Sequence, residues 1–299
     1  MVLIARIGSE TMKKMSLWIK LFLLLGIVAA FLVSCFGIPA IPDTDMFSAK
    51  GYFEDGKMPE TATEEVLGWK VRRVETGNRD GPLVLFVHGS PGSWENFARF
   101  LDDDELAAKA HLVAIDRPGY GGSGRGKPER SLEVQAGVFR PVLERARAEG
   151  RRTILVGHSY GGPVIARAAV DFPELIDALI LVSPSIDPDL EDLPWYQYIG
   201  NWFFVRWAVP AMLDVSNQEV LALERELRDM ESSWKDIRMP VTVIQGGSDT
   251  LVHPGNADFA ERVFVNAPLE LVLPANANHF IPWTHPRLMR DAILGYLEP

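Results

Sequence analysis

Residues 157–162 read Gly157-His158-Ser159-Tyr160-Gly161-Gly162, directly after the apolar run Thr153-Ile154-Leu155-Val156. A serine hydroxyl is a weak nucleophile in water and becomes effective only beside a base that takes its proton, itself oriented by a third group. Residue types suited to those parts occur further along. The chain's 40 Asp and Glu residues and six His residues supply candidates for both parts. The chemistry such a set performs is acyl transfer by way of a covalent serine intermediate.

These groups lie far apart in sequence, so the elements between them must bring them together. Short apolar runs rich in β-branched residues recur at Leu83–Val87, His111–Ile115, Thr153–Val156, Ala178–Val182, Val241–Gln245 and Leu269–Leu273. Continuous apolar runs of this length predict strands covered on both faces, as in a parallel sheet. Helical patterns at Ser131–Ala148, Gly162–Asp171 and Leu288–Leu297 alternate with them, which predicts an α/β, mostly parallel, doubly wound sheet. Leu67–Thr76 partly alternates and reads as an antiparallel edge strand.

The interval between Val182 and Val241 is far longer than a strand-to-helix connection needs. Its first half is aromatic (Trp195, Tyr196, Tyr198, Trp202, Phe203, Phe204, Trp207). Its second half has Ser216 and Glu219 in capping-box spacing, followed by Leu221, Leu223, Leu227 and Met230. We read a helical cap over residues 185–239, inserted into a core of 64–184 and 240–299. Most of its aromatics are expected to be structural, with a few lining a pocket for an apolar substrate.

Gly157–Gly161 after a strand resembles the G-x-S-x-G nucleophile elbow of the α/β-hydrolase fold, and residues 66–298 follow that layout nearly throughout. The resemblance implies the chain order serine, acid, histidine, hence Ser159, Asp249 and His279. It also implies that His88-Gly89-Ser90-Pro91-Gly92 is the family's HGxPG turn, with the backbone N–H groups of Ser90 and Tyr160 forming the oxyanion hole. Pro91 has no N–H to give. In this family the histidine of the turn braces its loop, and Asp116-Arg117-Pro118-Gly119-Tyr120-Gly121-Gly122-Ser123 matches a glycine-rich loop of architectural role. Asp187 is a competing acid, because some relatives place theirs after the corresponding strand. His285 before Pro286 reads as a helix start, and His158 as a neighbour of the nucleophile that points back into the sheet.

The formal net charge of −10 argues against a nucleic-acid partner. The six histidines form no HExxH or HxH pair, and one cysteine cannot build a metal cluster, so neither a metal nor an organic cofactor is expected. That cysteine, Cys35, ends Leu32-Val33-Ser34-Cys35, which resembles the bacterial lipoprotein box. Lys13, Lys14 and Lys20 precede an uncharged apolar run, Leu21–Val33. This is the build of a secretory signal or, counted from Met15, of an uncleaved anchor. Residues 1–35 are therefore read as signal or membrane anchor, with lipidation at Cys35, and 36–63 as linker and N-terminal extension. The expected location is the cell envelope, with the catalytic part outside the cytoplasm.

Within the family the serine favours a carboxylesterase-like hydrolase of a small acyl substrate; epoxide hydrolases and dehalogenases place aspartate at the elbow. Two alternatives stay open. A prolyl-aminopeptidase-like enzyme would use Glu191, Asp192, Glu224 or Glu226 to hold an α-ammonium. A non-catalytic envelope lipoprotein would use the fold for binding alone.

Overall fold

The computed structural model describes Ala49, residues 51–53, Gly56, residues 58–206 and residues 209–298. The expectations for residues 1–35, Cys35 included, lie outside the described residues. No described helix is long and apolar enough to cross a membrane.

Eight strands form one sheet: β1 (Glu60–Val66), β2 (Trp69–Gly77), β3 (Leu83–Val87), β4 (His111–Ile115), β5 (Thr153–His158), β6 (Ala178–Val182), β7 (Val241–Ile244) and β8 (Leu269–Val272). Their order is β1-β2-β4-β3-β5-β6-β7-β8. β1 pairs antiparallel with β2, and β2 with β4, while every pairing from β4 to β8 is parallel. The α/β, mostly parallel, doubly wound sheet read from the sequence is the fold observed.

Helices cover both faces. In chain order they are α1 (Ala98–Leu101), α2 (Asp104–Lys109), α3 (Leu132–Gly137), α4 (Arg140–Ala148), α5 (Gly161–Asp171), α6 (Trp195–Gly200), α7 (Phe203–Arg206), α8 (Ala211–Met230), α9 (Asn256–Val263), α10 (Ile281–Thr284) and α11 (Pro286–Leu297). Successive strand side chains point to opposite faces. Leu83, Leu85, Val87, Leu155, Leu179 and Leu181 therefore join α3, α4 and α5 in one core. Val84, Phe86, Ile154, Val156, Ile180 and Val182 join α1, α2 and α11 in the other. An all-apolar strand is what a two-sided core requires, and β3 to β6 are buried at every position.

Several boundaries differ from the sequence reading, each for a local reason. The stretch 67–76 is not the edge: β1 lies outside it, and a two-residue turn, Leu67-Gly68, joins the strands, both residues having positive φ (52° and 79°). Leucine is a poor advertisement for such a turn, which usually carries Asn or Gly. β1, ETATEEV, is half or more exposed, and its charges discourage pairing with another chain's edge. Ordered structure also begins earlier than residue 64: β1 starts at Glu60, and Phe53 is buried against the second core. The helix read over 131–148 is two, because Pro141 lacks the N–H to continue α3 and instead opens α4.

β2 carries a buried charge cluster. Glu75 receives hydrogen bonds from His111 Nε2 (3.0 Å) and from Arg73 Nε, and these hold its carboxyl at about 2, below the usual 4.5, against the upward push of burial. A carboxyl held low in the fold binds its proton more readily when unfolded. Its stabilising contribution is therefore complete above the unfolded value and is lost as pH falls from about 4.5 towards 2. Urea midpoints should accordingly show the parent more stable than Glu75→Gln at pH 7, with the gap narrowing at pH 3 and closing only towards pH 2. A gap of constant size across that range would refute this assignment.

Candidate active site

Three loops lie at the carboxyl ends of the parallel strands β5, β7 and β8, the side on which ligands bind in open α/β sheets. The first is the turn from β5 into α5. Ser159 stands at φ 55°, a left-handed conformation that costs a non-glycine residue free energy. The turn is held by Ser159 N donating to Val182 O (2.9 Å) and Gly162 N to Ser159 O (2.9 Å). A Cβ on Gly157 would fall 2.4 Å from Gly161 O, and one on Gly161 2.2 Å from Val87 O. Only glycine fits at either position, so the elbow's glycines are dictated by backbone crowding.

The second loop follows β7 and carries Asp249, which is 5% exposed. Its Oδ1 accepts the N–H groups of Leu251 and Val252, each at 2.9 Å. Its Oδ2 lies 2.8 Å from His279 Nδ1, on the third loop, after β8. Burial acts to raise this carboxyl, but the His279 bond and the two backbone donors bring it net below its ordinary value. An ionised Asp249 therefore receives the Nδ1–H of His279, which leaves Nε2 as the basic nitrogen.

His158 fastens the third loop to the first. Its Nε2–H donates to His279 O (3.0 Å), and the two rings lie 4.9 Å apart. Burial, with the His279 charge next, brings His158 down to about 3, so it is neutral. It ends β5, and its ring packs beside those of His279 and Trp283. Among the described residues the Ser159 hydroxyl and the His279 ring form no hydrogen bond; catalytic hydrogen bonds often tighten only when substrate is bound.

The HGxPG turn packs against Ser159: a Cβ on Gly89 would lie 2.9 Å from Ser159 Cβ. Among the described residues neither Ser90 N–H nor Tyr160 N–H has a hydrogen-bond acceptor. His88 is wholly buried; its Nδ1–H donates to Gly89 O (2.7 Å) and its Nε2 accepts from Arg117 N (2.9 Å). With both nitrogens engaged and burial holding its pKa well below the ordinary value, it stays neutral.

Asp187 lies elsewhere. Its carboxylate pairs with Arg262 (3.0 Å) and caps Asp189 N–H, so its position is explained without His279. His285 precedes α11, as read. Ser216 and Glu219 depart from expectation. α8 begins at Ala211, after Pro210, so neither residue caps it, and both side chains turn towards the HGxPG loop. The aromatic residues Trp195, Tyr196, Tyr198 and Trp202 are mostly exposed and are not buried against the core. A cavity of about 400 Å³, lined by residues including Phe53, Glu75, Arg79 and Leu101, contains none of the site residues.

Among the described residues no group of His, Cys, Asp or Glu is arranged to hold a metal ion. Sequence reasoning missed Gln135; it placed Arg117 only within an architectural loop and Glu219 only in a helix cap, without the contact between them. Arg117 and Glu219 are 102 positions apart, and nothing in linear spacing signals their contact.

Residues 82–214 match the family model described as alpha/beta hydrolase fold. The sheet order and the strand-to-helix turn at Ser159 give the chain an α/β-hydrolase fold. It is similar to Epoxide hydrolase 1 of Caenorhabditis elegans, 32% identical over 48% of this chain and 37% of that protein. It therefore spans little more than a third of that relative's length. It is also similar to 2-(acetamidomethylene)succinate hydrolase of Mesorhizobium japonicum, 26% identical over 73% of this chain and 88% of that protein. Among solved structures, an epoxide hydrolase from Vigna radiata superposes with a TM-score of 0.62 at 18% identity, over 80% of this chain and 98% of that one. This last likeness is one of fold.

Proposed function

We propose that this chain is a serine hydrolase that cleaves an ester or related acyl bond of a small, apolar substrate. The observation that carries the reading is the 2.8 Å bond from His279 Nδ1 to Asp249, formed beside a serine held at positive φ over the HGxPG turn. Ser159 Oγ attacks the acyl carbon while its proton passes to His279 Nε2. The carbonyl electron pair moves onto oxygen, where the N–H groups of Ser90 and Tyr160 receive the charge. Collapse breaks the bond to the leaving alcohol, which departs with the proton from His279 and leaves acyl-Ser159. Water, deprotonated by His279, repeats the sequence and releases the carboxylic acid. No metal or organic cofactor takes part.

Similarity to epoxide hydrolases invites a different reaction, and Ser159 argues against it. A carboxylate that opens an epoxide leaves an ester, which water can then cleave at its acyl carbon. A serine that opened one would leave an ether, which has no acyl carbon, and the enzyme would halt after one turnover. The aminopeptidase alternative has no supporting observation. Glu224 pairs with Arg228 (3.1 Å), Glu226 accepts Leu132 N–H (3.0 Å), and Glu191, hydrogen-bonded by Ser185, is pushed up to about 7 by burial. The sequence of residues 1–35 supports delivery to the cell envelope, by lipidation of Cys35 or by an apolar anchor.

The test is to incubate the chain with p-nitrophenyl esters of graded acyl length, with styrene oxide, and with a fluorophosphonate probe. Ester turnover with the probe covalently on Ser159 is the expected result. Sustained epoxide opening, with neither ester turnover nor labelling, would overturn the proposal.

A further inference from the structure

Glu219, on helix α8 of the insert between β6 and β7, is completely buried. Its partners explain why a carboxylate is tolerated there. Arg117 Nη1 donates to Oε1 (2.8 Å) and Nη2 to Oε2 (3.1 Å), Tyr120 Oη donates to Oε2 (2.6 Å), and Gln135 Nε2 donates to Oε1 (3.1 Å). Arg117 is equally buried and equally satisfied. Its Nε donates to His88 O (2.8 Å), Nη2 also to Gly89 O (2.9 Å), and Nη1 also to Gln135 Oε1. All five guanidinium N–H groups are thereby used. A buried charge pair is tolerable only when each partner is hydrogen-bonded in this way.

This cluster reaches both proposed oxyanion donors. Ser90 Oγ lies 2.8 Å from Glu219 Oε2, 2.8 Å from Tyr120 Oη and 3.0 Å from Ser216 Oγ. The ring of Tyr160 lies under the Arg117 guanidinium, 4.7 Å away. The Ser90 side chain is thus gripped by two residues of α8, on an irregular loop that no strand ladder holds. An oxyanion hole works because its donors are already aimed before charge develops. A donor on a loose loop would have to be reoriented within each turnover.

We infer that Glu219 is a positioning residue for the oxyanion hole, holding Ser90 through its hydroxyl so that the seat of the insert and the aim of the Ser90 N–H are set together. The inference rests on the serine-hydrolase reading above. Its test uses the full chain and compares the parent with Ser90→Ala, Glu219→Gln and the double variant, reading kcat and KM separately, fluorophosphonate labelling rate and thermal midpoint. Ser90→Ala keeps the backbone N–H and loses only the tether. Each single variant should lower kcat and labelling about tenfold or more, with KM within about twofold. The double variant should fall no further than the worse single one, since both cut the same link. Unchanged kcat in Ser90→Ala, with or without a lower thermal midpoint, overturns the inference, as do losses that multiply in the double variant. If Glu219→Gln fails to fold, Ser90→Ala decides alone, because it leaves the Arg117–Glu219 pair intact. A parent with neither ester turnover nor labelling would remove the serine-hydrolase reading itself, and this inference with it; an active parent with an indifferent Ser90→Ala removes the inference only.

Discussion

Replacing Ser159 with alanine should lower kcat for ester hydrolysis by about 10⁶-fold and abolish fluorophosphonate labelling, with the fold unaffected. The size follows from the covalent route. Without Oγ there is no acyl-enzyme, and only the oxyanion donors and binding remain, which together sustain a small residual rate. Alanine retains the backbone bonds of the elbow, Ser159 N to Val182 O and Gly162 N to Ser159 O, and meets the same φ of 55° with the same Cβ. Thermal unfolding should therefore stay within a few degrees of the parent. Steady-state kinetics with a p-nitrophenyl ester, run beside a melting curve, makes the measurement. A variant that hydrolyses at the parent rate would remove Ser159 from the mechanism.

The second large effect concerns Asp249→Asn, which should lower kcat about 10⁴-fold. Oδ1 of Asp249 accepts from Leu251 N and Val252 N. An asparagine must keep its carbonyl oxygen towards those two donors, because its amide nitrogen cannot accept them. The NH2 then faces His279 Nδ1, where the carboxylate had accepted the Nδ1–H hydrogen bond. Nδ1 is forced to accept, the imidazole carries its hydrogen on Nε2, and the ring can no longer take the proton of Ser159. Asp187→Asn serves as the contrast: its carboxylate serves Arg262 and Asp189, so kcat should stay within about threefold of the parent. If Asp187→Asn were the crippled variant and Asp249→Asn the active one, the acid would be misassigned.

How far the linear sequence reached depended on the range of the force involved. Five residues of strand β3, LVLFV, already state that both faces are covered, since an exposed face would need polar residues in alternation. Gly157 and Gly161 mark the crowded elbow for the same reason: a steric requirement acts within one turn of chain and leaves its trace in adjacent letters. The Leu67-Gly68 turn escaped because register pairing across β1 and β2 overrides the usual preference for Asn or Gly. Ser216 and Glu219 were misread for a deeper reason. Their spacing satisfies a helix cap, and only the position of Arg117 and Ser90 across the fold turns the same two residues inward.

The sequence by itself therefore determined the two-sided sheet and the crowded turn that presents Ser159, because each is written in neighbouring residues or in strand periodicity. The tertiary structure decided which carboxylate meets His279, why His88 and His158 are neutral braces, and that Glu219 from the insert grips the Ser90 loop. Those outcomes depend on desolvation and on hydrogen bonds between groups up to 129 positions apart. A buried charge must find its partner in space, and spacing along the chain carries no record of where that partner lies.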